Sequence, residues 1–123
     1  KTDYSLDLAF FYGYATQLEF ENASFDAVTI SFAMHDVPRE VGTRMLQEAK
    51  RVLDLDGMIT IIDYNEPKKN FAARILYMIA LMYESPNFKE FIKMGIAQYL
   101  KEAGLTLVSR FTILGGVQVV NCQ

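Results

Sequence analysis

The 123-residue sequence has one cysteine, one histidine and no tryptophan. Cys122, close to the C-terminus, has no internal partner, so no disulfide framework is available and a cytoplasmic location is the expectation. His35 and Cys122 stand far apart and form no ligand cluster of the zinc type, so no metal is expected. There is no Gly-x-Ser-x-Gly turn to present a nucleophilic serine, and no glycine-rich loop between a strand and a helix to cradle phosphates. Lys68-Lys69 is the longest basic run, and 12 basic against 15 acidic side chains give a net charge of −3, which speaks against nucleic acid as a partner. The longest nearly apolar stretch, Phe71 to Tyr83, carries Arg74 and falls well short of the roughly 20 residues that cross a bilayer, so no membrane span is expected. No signal peptide is visible.

Apolar side chains are plentiful. With 51% hydrophobic and 22% charged residues, a chain of single-domain length should fold around a core. Its first residue is Lys1, and the next few residues show neither a helix start nor a clean strand, which reads as a chain cut from a longer one.

Leu6 to Tyr14 is short, aromatic and closed by Gly13, and predicts a first strand. Phe25 to Phe32 is dense in β-branched and aromatic residues and predicts a strand covered on both faces, as in a parallel sheet. Asp36-Val37-Pro38 predicts a helix start, with the aspartate as capping acceptor and the proline in the first turn. Val41, Met45, Ala49, Val52 and Leu53 line one face of that helix, and Glu40 with Arg44 the wet face. Asp56-Gly57 signals a turn before a second buried strand, Met58 to Tyr64, which completes a βαβ crossover. Phe71 to Tyr83 is a helix apolar nearly all round, which must be covered by protein, by a ligand or by another subunit. Ser85-Pro86 opens a helix holding Phe88, Phe91 and Ile92; Gly95 interrupts it, Ile96 to Ala103 resumes it, and Gly104 is the left-handed stop. Leu105 to Leu114 and Val117 to Cys122, joined at Gly115-Gly116, predict an antiparallel hairpin.

The pattern is α/β, without repeats or linkers. In open α/β sheets, ligands sit beyond the carboxyl ends of parallel strands. Three such ends are expected, at Gly13 to Thr16, Ser31 to His35 and Asp63 to Glu66, with polar groups converging on one edge.

Gly13-Tyr14-Ala15-Thr16-Gln17-Leu18-Glu19-Phe20, Ser24-Phe25-Asp26-Ala27-Val28, Met34-His35-Asp36-Val37-Pro38, Glu48-Ala49-Lys50-Arg51-Val52-Leu53 with Gly57, and Glu102-Ala103-Gly104-Leu105 stand in an informative order. Together they resemble class I S-adenosylmethionine-dependent methyltransferases, specifically the small-molecule branch of the ubiquinone/menaquinone-biosynthesis type. The resemblance implies a Rossmann-like fold, here incomplete, with a C-terminal antiparallel hairpin, residues 1–123 forming a partial methyltransferase domain from the third strand onward. It implies S-adenosylmethionine as cofactor, with Tyr14, Ala15 and Thr16 at the adenine end and Ser31 and Phe32 near the methionine portion. It also implies a small-molecule acceptor met by His35 at the mouth. Tyr14 stands where the family usually has an acidic residue, and Leu55-Asp56-Gly57 where it has Pro-Gly-Gly. The family's glycine-rich loop and ribose-holding acidic residue are expected to precede this chain.

From the residues alone, each candidate keeps a plainer alternative. His35 can exchange a proton with an acceptor or simply pack after the strand. Asp63 can orient an acceptor or cap a turn, and Tyr14 can stack on adenine or fill space. Tyr77 and Tyr83, with Met78 and Met82, can line a lid over an apolar acceptor or belong to core or a dimer contact. Methyl transfer asks mainly for in-line alignment and exclusion of water, so no catalytic residue is assigned. The isolated chain is expected to be inactive as a monomer. The rival reading is a non-catalytic, truncated methyltransferase-like module for dimerisation or protein binding, because the strand at Phe25 to Phe32 would present an open apolar edge. A homodimer through that edge, or by exchange of Leu6 to Tyr14, is expected. A nicotinamide-dependent Rossmann enzyme is disfavoured by the terminal hairpin.

Overall fold

Ile59, Ile61 and Val120 are shielded from water while their chain neighbours are half-buried, and this alternation of period two builds the centre of a sheet. The computed structural model describes residues 7–66, 71–113 and 116–123. Its strands are β1 (Phe25–Ser31), β2 (Leu53–Tyr64), β3 (Leu107–Ile113) and β4 (Val117–Cys122), in the order β1-β2-β4-β3. β1 and β2 are parallel, with Val28 opposite Ile59 and Ile30 opposite Ile61, whereas β4 is antiparallel to both β2 and β3. The expected hairpin is therefore present; Leu114 and Gly115 of its turn lie outside the described residues. β2 starts earlier than expected: Leu53 pairs with Phe25, exposed Asp54 to Asp56 bulge out, and pairing resumes at Met58.

Helix α1 (Arg39–Val52) makes the crossover, burying Met45, Leu46, Ala49 and Val52 along one face. Asp36 does not cap it. Asp36 ends a 3₁₀ turn, Met34–Asp36, and Pro38 holds the N-cap position, its carbonyl accepting from the Gly42 N–H at 3.0 Å. Helices α2 (Phe71–Tyr83), α3 (Asn87–Met94) and α4 (Ile96–Ala103) follow, and Gly104 ends α4 at φ 70°. Side chains of α1, α3 and α4, among them Leu46, Phe91, Tyr99 and Leu100, close over Ile59, Ile61 and Val120 as one core. No helix among the described residues is long and apolar enough to cross a membrane.

Two further expectations fail. Leu6 to Tyr14 forms no strand: residues 7–13 are exposed and lack regular structure, and only a Tyr14–Gln17 bridge follows, while Leu6 lies outside the described residues. Strand formation needs a partner for its backbone groups, and β1 is the edge strand, paired only with β2. β1 is likewise not covered on both faces: the described helices pack on the side of Val28 and Ile30 and leave Ala27, Thr29 and Ser31 exposed. On α2, Phe71, Met78, Met82 and Tyr83 are exposed in the single chain, which leaves a ligand or another subunit as their expected cover.

Candidate functional site

Because β1 and β2 are parallel, their carboxyl ends share a rim, and the chain leaving β1 meets the end of β2 there. Phe32 makes the bend. Its φ of 48° is uncommon for a bulky residue, and its N–H donates to the Ile62 carbonyl at 2.8 Å. The bend delivers Met34 and His35 to Asp63, the last residue but one of β2.

Asp63 is wholly buried and fully engaged. Its Oδ2 accepts the Met34 N–H at 3.0 Å, and its Oδ1 accepts the Tyr64 N–H at 2.7 Å and lies 2.7 Å from His35 Nδ1. Burial pushes the Asp63 carboxyl above its ordinary value, and these hydrogen bonds and the nearby imidazole oppose the rise. With Asp63 ionised, Nδ1–H is the donor to it, and Nε2 is the ring's second nitrogen. That second nitrogen faces Glu84, Oε2 at 3.3 Å, and Asp36, Oδ2 at 3.5 Å. The Tyr64 hydroxyl donates to the other Glu84 oxygen at 3.1 Å, and the Tyr64 phenol is shifted upward, by burial first and then by Glu84.

Aromatic rings wall this cluster. His35 stands edge-on to Tyr64, with centroids 4.7 Å apart, and to Phe88 at 5.9 Å. Phe32 meets Tyr64 edge-on at 5.5 Å, and Tyr77 lies 5.9 Å from Phe88. Ser85 donates to the His35 carbonyl at 3.2 Å and Asn87 to the Asp36 carbonyl at 2.8 Å, tying the start of α3 to the 3₁₀ turn. A cleft of about 340 Å³ lined by Leu81, Glu84, Ser85, Pro86 and Lys89 opens beside Glu84. Across the sheet from Asp63, buried Gln118 donates to the Tyr64 carbonyl at 2.7 Å, while its Oε1 has no partner among the described residues.

The structure thus brings His35, Asp63 and Tyr77 into one neighbourhood with Phe32, and leaves Tyr83 exposed at the end of α2. Asp63 presents no surface to a ligand; it holds His35. Ser31 closes β1 at the same rim. Tyr14, Ala15 and Thr16 share no hydrogen bond with Ser31 or Phe32 among the described residues, and Ala15 lines a separate cleft of about 400 Å³ with Phe11, Tyr12 and Phe20. The segment after Thr16 is clasped from α1: Arg51 donates to the carbonyls of Leu18 and Phe20 at 3.0 and 2.9 Å, and Glu48 accepts the Leu18 N–H at 2.9 Å.

Glu84, Phe88 and Gln118 escaped the sequence reading as site residues, and Tyr64 was expected only as part of the rim segment Asp63 to Glu66. No spacing rule joins positions 35, 64, 84, 88 and 118; only the parallel pairing of β1 with β2 and the docking of α3 on the 3₁₀ turn do so. Cys122 is inert, as its place in a terminal strand suggests: it is buried, and burial pushes its thiol up to about 11.

The sequence matches the model of the ubiE/COQ5 methyltransferase family over residues 1–121. It is 30% identical over 125 residues to the demethylmenaquinone methyltransferase of Bacillus velezensis, covering 86% of this chain and 52% of that protein. It is 28% identical over 145 residues to the ubiquinone/menaquinone biosynthesis C-methyltransferase UbiE of Rhizobium etli, covering 98% of this chain and 53% of the relative. The chain therefore spans about half the length of the curated relatives it matches. Among solved structures, a SAM dependent methyltransferase from Aquifex aeolicus superposes with a TM-score of 0.62 at 16% identity, over 91% of this chain and 52% of that one. LepI in complex with SAM superposes with a TM-score of 0.67 at 19% identity, over 90% and 28%. These structures share the fold, and this chain's four-stranded sheet with its antiparallel hairpin is consistent with an incomplete Rossmann-like methyltransferase fold. With nearly every residue matched by one family and the sheet ordered accordingly, this chain belongs to the ubiE/COQ5 methyltransferase family.

Proposed function

We propose that this chain supplies the acceptor side of an S-adenosylmethionine-dependent methyltransferase acting on a small, quinol-like ring with an apolar tail. The observation that carries the reading is His35 held at the sheet's carboxyl rim by the buried Asp63, under the rings of Tyr64 and Phe88. The names of its relatives, which include demethylmenaquinone and 2-phytyl-1,4-beta-naphthoquinone methyltransferases, support the acceptor class.

The cofactor supplies an electrophilic methyl group on a sulfonium. Its fit rests on Ser31, which ends β1 at the rim, and on Phe32 just after it, which has a half-exposed ring and a backbone bent at φ 48°. Tyr14, Ala15 and Thr16 would flank its adenine, and sequence matching the other half of the relatives would hold the ribose and carboxypropyl ends. A ring carbon that gains a methyl must lose a proton, and His35 accepts it at Nε2 while Asp63 keeps the imidazole oriented. Tyr64 and Tyr77 stack against the acceptor ring and exclude water, buried Phe88 supports them from behind, and Tyr83 closes the outer side.

The test is methyl transfer from labelled S-adenosylmethionine to a demethylmenaquinone analogue, measured on the longest natural product that contains this sequence. His35→Asn should lower kcat by about 10²-fold or more with cofactor affinity unchanged. Unchanged kcat would remove His35 from the reaction. A non-catalytic dimerisation module is the second reading, favoured by β1 being an edge strand with Phe25 and Phe32 partly exposed. Failure to bind S-adenosylhomocysteine, together with sedimentation as a dimer at micromolar concentration, would select it.

A further inference from the structure

Given the acceptor-side reading, on which this inference rests, we propose that the side-chain oxygen of Gln118 accepts a hydrogen bond from a ring hydroxyl of the bound small molecule, and so selects a phenolic ring over one without a hydroxyl. Gln118 is 2% exposed, and its Oε1 has no hydrogen-bond partner among the described residues. A buried oxygen without a donor is destabilising, and native proteins hold few of them, so this one calls for an occupant. Its neighbour fixes which end of the amide is orphaned. The Tyr64 carbonyl can only accept, so the amide nitrogen must face it, as it does at 2.7 Å, and the oxygen is the end left over. What is missing is therefore a donor.

The donors nearest to it are committed elsewhere. Gln118 stands opposite Asp63 in the ladder between β2 and β4, and cross-strand partners share a face, so both side chains lie on the helix-covered side of the sheet with Ile61 and Val120. The Met34 and Tyr64 N–H groups and His35 Nδ1–H go to Asp63, and the Tyr64 hydroxyl goes to Glu84. Through the Tyr64 carbonyl, Gln118 is tied to the residue whose ring stands edge-on to His35. The surroundings decide the kind of donor. Tyr64, Phe88 and Tyr77 offer aromatic surface, which suits a flat ring, and a neutral hydroxyl satisfies an amide oxygen without bringing a charge out of water. A hydroxyl that donates in this way keeps its proton while its oxygen gains electron density, which it shares with the ring. The contact thus orients the ring and makes the carbon beside the hydroxyl a better nucleophile toward a methyl group. Since Oε1 is closed to bulk solvent, a ring reaches it only as a neighbouring element yields. Helix α2 is the element most able to do so: among the described residues it packs extensively on no other element, and Tyr77 touches Phe88.

The test titrates the longest natural product that contains this sequence, saturated with S-adenosylhomocysteine, with 1-naphthol and with 1-fluoronaphthalene, which has nearly the same shape and no donor. Calorimetry should show the naphthol binding about tenfold or more tightly. Gln118→Met, close in size and without the amide, should reduce that preference to about twofold or less, with circular dichroism unchanged. Independently of any variant, the side-chain amide resonance of Gln118 should move further in NMR spectra with 1-naphthol than with 1-fluoronaphthalene. The inference is overturned by equal affinity of the parent for the two rings, by a preference that survives Gln118→Met, or by a Gln118 resonance indifferent to the hydroxyl, which are the results a structural water on Oε1 would give. In each of those cases the rings still bind and the acceptor-side reading stands. A parent that binds neither ring removes both.

Discussion

Asp63 is the residue on which the rim depends, because three groups from three residues converge on its two oxygens at a site closed to bulk solvent. Asp63→Ala should cost about 3–5 kcal/mol in urea unfolding, since the Met34 and Tyr64 N–H groups and the imidazole would be left buried and unpaired. Asp63→Asn keeps the shape and tests the charge. Burial holds the Asp63 carboxyl above its ordinary 3.8, so the native state binds its proton more tightly than the unfolded chain does. Its contribution to stability is therefore full below 3.8 and lost as pH rises through the native value. Unfolding followed against pH should show that falling component in the parent and not in Asp63→Asn. Gly57 is a different kind of necessity: a Cβ there would stand 2.7 Å from the Leu53 side chain and 2.8 Å from the Asp26 carbonyl. Gly57→Ala should lose about 1–3 kcal/mol to overpacking where β2 re-enters its pairing with β1.

Among the elements, the failed strand and the successful ones differ in what surrounds them, not in composition. Leu8, Phe10, Phe11 and Tyr12 have the residue types of a strand but are exposed, because among the described residues β1 pairs only with β2 and no neighbour takes their backbone groups. Periodicity served better. The 3.6-residue spacing of Met45, Ala49 and Val52 and the alternation of Ile59, Ile61 and Asp63 carry their own geometry, so α1 and β2 were legible. Gly95 and Gly104, at φ 72° and 70°, marked the limits of α3 and α4 for the same local reason. The segment from Leu18 to Asn22 is neither helix nor strand, and Arg51 and Glu48 hold it in place of a sheet. Lysine cannot reproduce the guanidinium fork, so Arg51→Lys should speed hydrogen exchange at Leu18 while the amides of α1 stay protected. Equal acceleration in both places would show that Arg51 supports the whole fold and not that segment.

For the whole molecule, one helix layer is stitched across its width by charge. Arg39 of α1 ion-pairs with Glu102 of α4, which also accepts from Gln98 and Thr43. The guanidinium holds the Glu102 carboxyl at about 2, with Gln98 helping. A carboxyl depressed in the native state stabilises it above the ordinary 4.5 and loses that contribution as pH falls toward 2. Glu102→Gln should flatten the acid limb of the stability profile between those values, measured by thermal melts; an unchanged limb would show that the pair contributes nothing. The sequence by itself determined the α/β pattern, the terminal hairpin and the family, because periodicity, turn residues and spaced motifs are local and survive without knowledge of neighbours. Tertiary structure alone decided that Asp63 grips His35, that Glu84 and Tyr64 join them, and that residues 7–13 find no strand partner among the described residues. Those outcomes depend on which segments lie side by side across the parallel rim and the sheet edge, and adjacency in space is set by pairing and packing between residues far apart in the chain.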